Sequence, residues 1–182
     1  MSKVDADFSR ELADLRLEVN RLRDIEAINN VLAQYSRALD WLDSELLDLV
    51  FFDDAEVDYG FYQGNAKTFK PMVMDIERGS ARRWHFTAQV SIQLAGDTAH
   101  VESYNLSLTA EQVESRDGSA LMQFAGYYHD QFERRHGRWG IARRKHLLVS
   151  GAAISEIAMS GDMGSLNHIG HADTGHIDYW RP

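Results

Sequence analysis

The sequence predicts an α+β fold, in which helices pack on one face of a curved antiparallel sheet. The chain up to about residue 78 carries mainly helical patterns, whereas from residue 82 onward apolar and polar residues alternate over long segments. Turn signals containing glycine separate these segments, as in hairpins. Helices followed by a run of strands are typical of α+β folds, and 182 residues suit one domain with an additional arm.

The helical part begins with a long segment over about residues 8–39. Its first half has a narrow apolar seam with spacings of three and four residues, at Phe8, Leu12, Leu15, Val19, Leu22 and Ile25. Such a seam needs a partner surface, so this arm either packs on another subunit or lies along its own domain. A short helix is expected from the N-cap Asp43 to Phe52, and a third helix over 66–78, where Pro71 weakens it.

The strands are expected in one short and four long segments, over 55–59, 84–94, 98–113, 121–135 and 139–149. The pairs Gly96-Asp97 and His136-Gly137 mark hairpin turns between long strands. We therefore divide the chain into an N-terminal helical arm (1–24), a central domain (25–150) and a C-terminal tail (151–182).

Composition excludes several classes of function. The formal net charge of −9 argues against general nucleic-acid binding, which needs a cationic surface. No segment has the apolar length of a membrane span, and the acidic N-terminus lacks the apolar core of a signal peptide. The absence of cysteine excludes disulfides, thiolate nucleophiles and zinc–thiolate sites. These features predict a cytoplasmic protein without membrane or nucleic-acid partners.

Four motifs occur in the order and spacing of a known family. They are residues 25–40 (IEAINNVLAQYSRALD), 52–60 (FDDAEVDYG), 126–134 (GYYHDQFER) and 137–144 (GRWGIARR). Together they resemble SnoaL-like proteins of the nuclear transport factor 2-like superfamily, over about residues 25–149. The similarity is to the dehydratase–dehydrochlorinase branch, with scytalone dehydratase, bile acid 7α-dehydratase and diarylpropane lyase. It implies a cone-shaped α+β barrel around a deep, mostly apolar pocket.

The resemblance also implies a catalytic set. By position, Asp40 and His85 match the aspartate–histidine dyad of this branch, and Tyr35 and Arg144 match further pocket residues. His85 would act as general base, because its ordinary pKa lies near neutrality, and Asp40 would orient its ring. Tyr35 or Arg144 would assist a leaving or carbonyl oxygen.

Each of these residues has a structural alternative. Asp40 can pair with Arg37 one turn earlier, and a histidine at a strand start is commonly structural or exposed. Tyr35 lies five residues before Asp40, about 140° around an ideal helix, and can be a core tyrosine. Arg143 competes with Arg144 for the pocket position, and the sequence leaves this choice open.

The resemblance places five aromatic residues on segments that line the pocket, namely Tyr59, Phe61, Trp84, Tyr104 and Tyr127. An aromatic lining suits an aromatic or polycyclic ligand. Strict alternation, however, puts His85 opposite Trp84 and Phe86, so an irregularity near residues 87–89 decides which set faces the pocket.

The tail carries His168, His171 and His176, a spacing that suggests metal ligands. No clear helix or strand holds them in place, so we expect no metal site and instead a tail that folds over the pocket mouth.

The predicted function is that of a cofactor-independent lyase for a small hydrophobic, aromatic or alicyclic molecule, as in aromatic compound catabolism. Loss of water is the expected reaction, and a retro-aldol-like loss of formaldehyde from a lignin-derived diaryl compound is a variant. The alternatives are an isomerase or polyketide cyclase of the same fold, and a non-catalytic subunit such as a dioxygenase β subunit. A homo-oligomer is expected, with a trimer favoured over a dimer.

Overall fold

The structure is a computed structural model that describes residues 3–111, 121–155, 161–167 and 169–181. Its helices are α1 (Lys3–Asp40), α2 (Ser44–Val50) and α3 (Ala66–Arg78), with a 3₁₀ turn at Gly161–Ser165. Its strands are β1 (Phe51–Asp58), β2 (Gln63–Asn65), β3 (Ser80–Ala95), β4 (Thr98–Glu111), β5 (Leu121–Arg135) and β6 (Arg138–Ile154). The predicted order of helices and strands is confirmed. Residues 114–119, predicted as a loop, lie outside the described part of the chain.

The six strands form one curved, unclosed sheet in the order β2-β1-β6-β5-β4-β3. Neighbouring strands are antiparallel except for β1 and β6, which run parallel. The α+β prediction is therefore confirmed, but the sheet is mixed rather than wholly antiparallel. The difference arises because β1 joins the sheet beside the last strand, a contact distant in sequence.

Only the second half of α1 belongs to the core. Its buried residues recur every three or four positions and share one face, at Ile28, Val31, Leu32, Tyr35, Ala38 and Leu39. The apolar residues of the first half remain exposed, including Phe8, Leu12, Leu15, Val19 and Leu22. Within the described residues, no other part of the chain covers these side chains.

A β-bulge in β3 sets which side chains face the helices. The register against β4 shifts between Ala88 and Ser91, and Gln89 has a φ of 54°. Before the bulge, His85 and Thr87 point inward, whereas Val90, Ile92 and Leu94 do so after it. The irregularity expected near residues 87–89 thus turns His85 toward the helices.

Two side chains cap the helices that follow α1. Asp43 accepts a hydrogen bond from the Leu46 amide at 3.0 Å at the start of α2, and Asn65 accepts one from the Thr68 amide at 3.1 Å at the start of α3. Pro71 lies exposed inside α3, which continues to Arg78. In the described part of the chain, no helix is both long and apolar enough to span a membrane.

Candidate active site

The predicted dyad forms where the end of α1 meets β3. The Nδ1 atom of His85 lies 2.8 Å from Oδ1 of Asp40, and only 13% and 17% of the two side chains are exposed. Two residues further along β3, the hydroxyl of Thr87 lies 3.1 Å from that of Ser36 in α1, so this contact joins the same two elements. A histidine that donates from Nδ1 to a carboxylate keeps the Nε2 lone pair available to accept a proton.

A second carboxylate, that of Glu77, faces the other side of the histidine. Its Oε1 atom lies 3.6 Å from Nε2 of His85, and 10% of its side chain is exposed. Glu77 stands in the last turn of α3, just before the chain enters β3. His85 is therefore flanked by one carboxylate from α1 and another from α3.

Arg83 ties these elements together. It lies two residues before His85 on the same face of β3, and its guanidinium donates to the carbonyls of Leu39 at 3.2 Å, Glu77 at 3.2 Å and Ser80 at 3.0 Å. It also donates to the carbonyl of Ala172 in the tail. Arg83 thus fixes the ends of α1 and α3 and one part of the tail around the dyad.

The surroundings shift the acid–base properties of this group. Burial disfavours the charged form of His85, but the Asp40 hydrogen bond and the Glu77 charge outweigh it and raise the histidine pKa. Burial raises the pKa of Glu77, opposed by His85 and Arg83. Burial also lowers the pKa of Arg83. The site therefore holds two groups, His85 and Glu77, whose pKa values both move upward.

A cleft of about 460 Å³ opens beside the dyad, between α1 and β3. Asp40, His85, Thr87 and Trp41 contribute to its walls. A larger cleft of about 1090 Å³ lies among α2, α3 and the β5–β6 turn, and its walls include Lys70, which is ion-paired with acidic side chains. We place the candidate site at the smaller cleft, because it contains the acid–base group.

Tyr35 and Arg144, the other two predicted catalytic residues, belong to a separate centre inside the core. The hydroxyl of Tyr35 lies 2.6 Å from that of Tyr59. Arg144 is fully buried and forms two hydrogen bonds with Asp130, at 2.8 Å and 2.7 Å. Its guanidinium lies over the rings of Tyr35 and Tyr128, at 4.3 Å and 4.0 Å from their centroids.

The inner centre is strongly desolvated. Burial raises the pKa of Tyr35, Tyr59 and Tyr128 well above the usual phenol value. Burial opposes the charge on Arg144, but the Asp130 carboxylate raises its pKa well above the usual value. Within the described residues, Nη1 of Arg144 has no hydrogen-bond partner. These groups suit a fixed cation and hydroxyl donors better than a proton carrier at neutral pH.

The structure resolves the choice between Arg143 and Arg144. Arg144 points into the core, while Arg143 points to solvent, with Nε 3.5 Å from Glu56. Arg37, the alternative partner of Asp40, instead donates to the carbonyl of Trp180 in the tail.

Of the five aromatic residues predicted to line the pocket, only Tyr59 points into the protein, where it packs in the core and not in the wall of the cleft beside the dyad. Its ring stacks on Phe69 and His146, with centroid distances of 4.9 Å and 5.0 Å. The pocket position is wrong for the other four, and strand alternation or a turn explains each case. Phe61 is 72% exposed in the β1–β2 turn, and Trp84 and Tyr104 are 46% and 47% exposed on the outer sheet face. Tyr127 packs against Tyr104 on that same face, with a centroid distance of 4.8 Å.

The tail packs across the end of α1, close to the dyad. The ring centroids of His176 and Trp41 lie 5.7 Å apart, and the hydroxyl of Tyr179 donates a hydrogen bond to Asp43. Nε2 of His171 lies 3.9 Å from Asp173, and His168 lies outside the described residues. No three histidine or acidic side chains in the described ranges form a group that could hold a metal ion.

Glu77 and Arg83 are the residues near the dyad that sequence reasoning missed. Arg83 shares the period-two phase of His85, a signal that was present in the sequence. Glu77 carries no such signal, because its approach to His85 depends on how α3 is joined to β3.

Solved structures with this fold include a candidate scytalone dehydratase from Novosphingobium aromaticivorans, 22% identical, covering 76% of this chain and 92% of that one with a TM-score of 0.65. The dehydrochlorinase LinA-type3 from Novosphingobium barchaimii, which acts on hexachlorocyclohexane, is 16% identical, with coverage of 79% and 99% and a TM-score of 0.68. A candidate aromatic ring hydroxylase from Novosphingobium aromaticivorans is 18% identical, with coverage of 73% and 94% and a TM-score of 0.64. At these identities, the similarity shows the fold alone.

No curated protein sequence matches the chain. The sequence profile of the SnoaL-like domain matches residues 20–145, which is more than half of the chain and includes Asp40, His85 and Glu77. The chain therefore belongs to the SnoaL-like family.

Proposed function

We propose that this protein is a cofactor-independent lyase that removes water from a small hydrophobic molecule, aromatic or alicyclic, by acid–base catalysis. The SnoaL-like fold, shared with a dehydrochlorinase and a candidate dehydratase, is consistent with an enzyme of the lyase or isomerase type. The observation that carries the lyase proposal is the 2.8 Å contact between Asp40 and His85 beside an open cleft.

In this proposal, Nε2 of His85 takes a proton from the substrate carbon. Asp40 holds the ring through Nδ1 and stabilises the imidazolium that forms. Removal of a proton from a substrate hydroxyl by the same base would instead start a carbon–carbon cleavage with release of formaldehyde. The ring of Trp41 contributes to the wall of the cleft beside the dyad, which suits an aromatic ligand.

The first experiment is a product-mass assay on hydroxylated aromatic and alicyclic compounds, together with a diaryl diol. A lyase gives a product lighter by one water or one formaldehyde, whereas an isomerase or cyclase gives a product of unchanged mass. Unchanged mass for every substrate that is consumed would refute the lyase proposal. Consistent co-purification with a large iron-containing subunit, without activity of the isolated chain, would favour a non-catalytic subunit.

The second experiment compares His85→Ala with the control His129→Ala. His85→Ala is expected to lower kcat at least about 100-fold, because it removes the general base. His129 is a suitable control, because it pairs with Glu102 at 3.0 Å on the exposed surface. Full activity in His85→Ala would show that the dyad is not the catalytic group.

A further inference from the structure

We propose that Glu77 is the general acid of this site and that it shares one mobile proton with His85. This inference rests on the proposed lyase function and extends it, because an elimination needs a proton donor for the leaving oxygen as well as a base. The structure already offers the base, and the question is which group supplies the acid.

Position favours Glu77 over the two residues that the family resemblance suggested. The Glu77 carboxylate lies 3.6 Å from Nε2, the nitrogen of His85 that is not held by Asp40. Arg144 is engaged by both oxygens of Asp130, and the Tyr35 hydroxyl by Tyr59. Of these groups, only Glu77 faces the reacting nitrogen directly.

The charges around Glu77 also fit a group that carries a proton. Burial is the largest influence on Glu77 and opposes its ionisation. Asp40 on α1 also opposes ionisation of Glu77, whereas His85 and Arg83 on β3 favour it. Asp173 in the tail acts on the site indirectly, because its charge faces Arg83. A buried carboxyl group that keeps its proton closer to neutral pH can donate it to a leaving hydroxyl, as in other acid–base enzymes.

The elimination then balances without any other reactant. Neutral His85 takes the proton from carbon, the C–H electron pair forms the new double bond, and the C–O bond breaks with its pair on oxygen. Protonated Glu77 gives that oxygen its proton, so water leaves. The remaining imidazolium of His85 then returns its proton to the Glu77 carboxylate across the 3.6 Å gap, and the starting state is restored.

The first test needs no substrate. The titration of His85 is followed by NMR of protein labelled in histidine, for the wild type, Glu77→Gln and the control Glu102→Gln. Glu77→Gln is expected to shift the His85 titration to lower pH, because it removes the carboxylate that faces Nε2 when the shared proton is on His85. Glu102→Gln is a matched control, since Glu102 also faces a histidine, His129, but on the exposed surface. If His85 titrates in Glu77→Gln at the same pH as in the wild type, the proposal of a shared proton is overturned.

The second test compares leaving groups. The substrate found by the product-mass assay is used with its chloro analogue, because chloride leaves without a proton. Glu77→Gln is expected to lose at least about 100-fold in kcat on the hydroxyl substrate and less than about 10-fold on the chloro analogue. Equal losses on both substrates, in a variant that circular dichroism shows to be folded, would overturn the acid role.

The conservative variant Glu77→Asp separates a chemical role from a structural one. It keeps a carboxyl group and is expected to recover part of the activity that Glu77→Gln loses on the hydroxyl substrate. No recovery in a folded Glu77→Asp variant would count against the acid role. If no substrate undergoes elimination, the proposed function fails, while the NMR titration still decides whether Glu77 and His85 are coupled.

Discussion

Arg143 and Arg144 are neighbours in sequence with opposite environments, because successive residues of a strand face opposite sides of the sheet. Arg144 lies opposite Asp130 in the β5–β6 pair and is fully enclosed with it. Arg143 lies opposite Glu56 in the β1–β6 pair and faces water. The two pairs therefore offer a direct comparison of a buried and an exposed charge contact.

We expect Asp130→Asn to destabilise the fold by about 3–5 kcal/mol, because it leaves the Arg144 charge buried without its counter-charge. The matched control, Glu56→Gln, is expected to change stability by less than about 1 kcal/mol. Urea unfolding at neutral pH measures both free energies. Equal effects would show that Arg144 is not held by Asp130 in solution.

At the scale of elements, the C-terminal tail is anchored at the connection between α1 and α2. Asp43 caps α2 and at the same time accepts hydrogen bonds from Tyr179 and Arg181, the latter at 2.7 Å and 2.9 Å. Arg37 lies against the ring of Trp180 at 4.6 Å. The tail is thereby held across the end of the helix that carries Asp40.

We expect Asp43→Ala to destabilise the fold more than Asn65→Ala. Both remove an N-cap worth about 1 kcal/mol, but only Asp43 also anchors the tail. Thermal unfolding of the two variants gives the comparison. Equal losses would mean that the tail contacts add nothing.

The additional destabilisation expected for Asp43→Ala over Asn65→Ala should also depend on pH. Burial opposes the ionised form of Asp43, but the contacts of Tyr179, Leu46 and Arg181 outweigh it and lower its pKa. A carboxylate with a lowered pKa stabilises the fold above its unfolded value of about 3.9 and loses that contribution as pH falls through the folded pKa. The difference between Asp43→Ala and the wild type should therefore be present at neutral pH and shrink below about pH 4.

The elements also show where sequence reasoning was sufficient and where it failed. Helical spacing predicted α3 over the observed residues 66–78, because periodicity is a local property. The inward side of β3 depended on a one-residue bulge at Gln89, which alternation alone could not fix, and Trp84, placed in the pocket by the family resemblance, lies on the outer face. The approach of Glu77 to His85 was not predictable, because it joins side chains from different elements.

At the scale of the whole molecule, two apolar surfaces are left uncovered by the described residues. One is the seam of the N-terminal arm, and the other is the outer sheet face, where Trp84 and Phe86 stack at 5.6 Å and remain about half exposed. Exposed apolar surfaces of this kind commonly mark contacts between subunits. We propose that the chain is a homo-oligomer, with a trimer favoured over a dimer.

We expect light scattering of the purified protein to give three times the chain mass of 20.7 kDa. Deletion of residues 1–24 removes the exposed part of the arm and should weaken the assembly on dilution. A monomeric mass at all concentrations would contradict the proposal, and twice the chain mass would replace the trimer by a dimer.

The most direct test of the central claim is the pH dependence of kcat/KM for the wild type and Asp40→Asn, on the substrate found by product mass. His85 acts as a base only when neutral, and Asp40 and Glu77 together raise its pKa against burial. Because Glu77 must carry its proton while His85 is neutral, the wild-type kcat/KM should rise as the pair loses its first proton and fall at higher pH as it loses the second. In Asp40→Asn, the whole profile should move to lower pH, because a negative charge beside the pair is lost, and its maximum should fall at least about 100-fold. An unchanged profile and maximum in Asp40→Asn would contradict catalysis by the Asp40–His85 dyad.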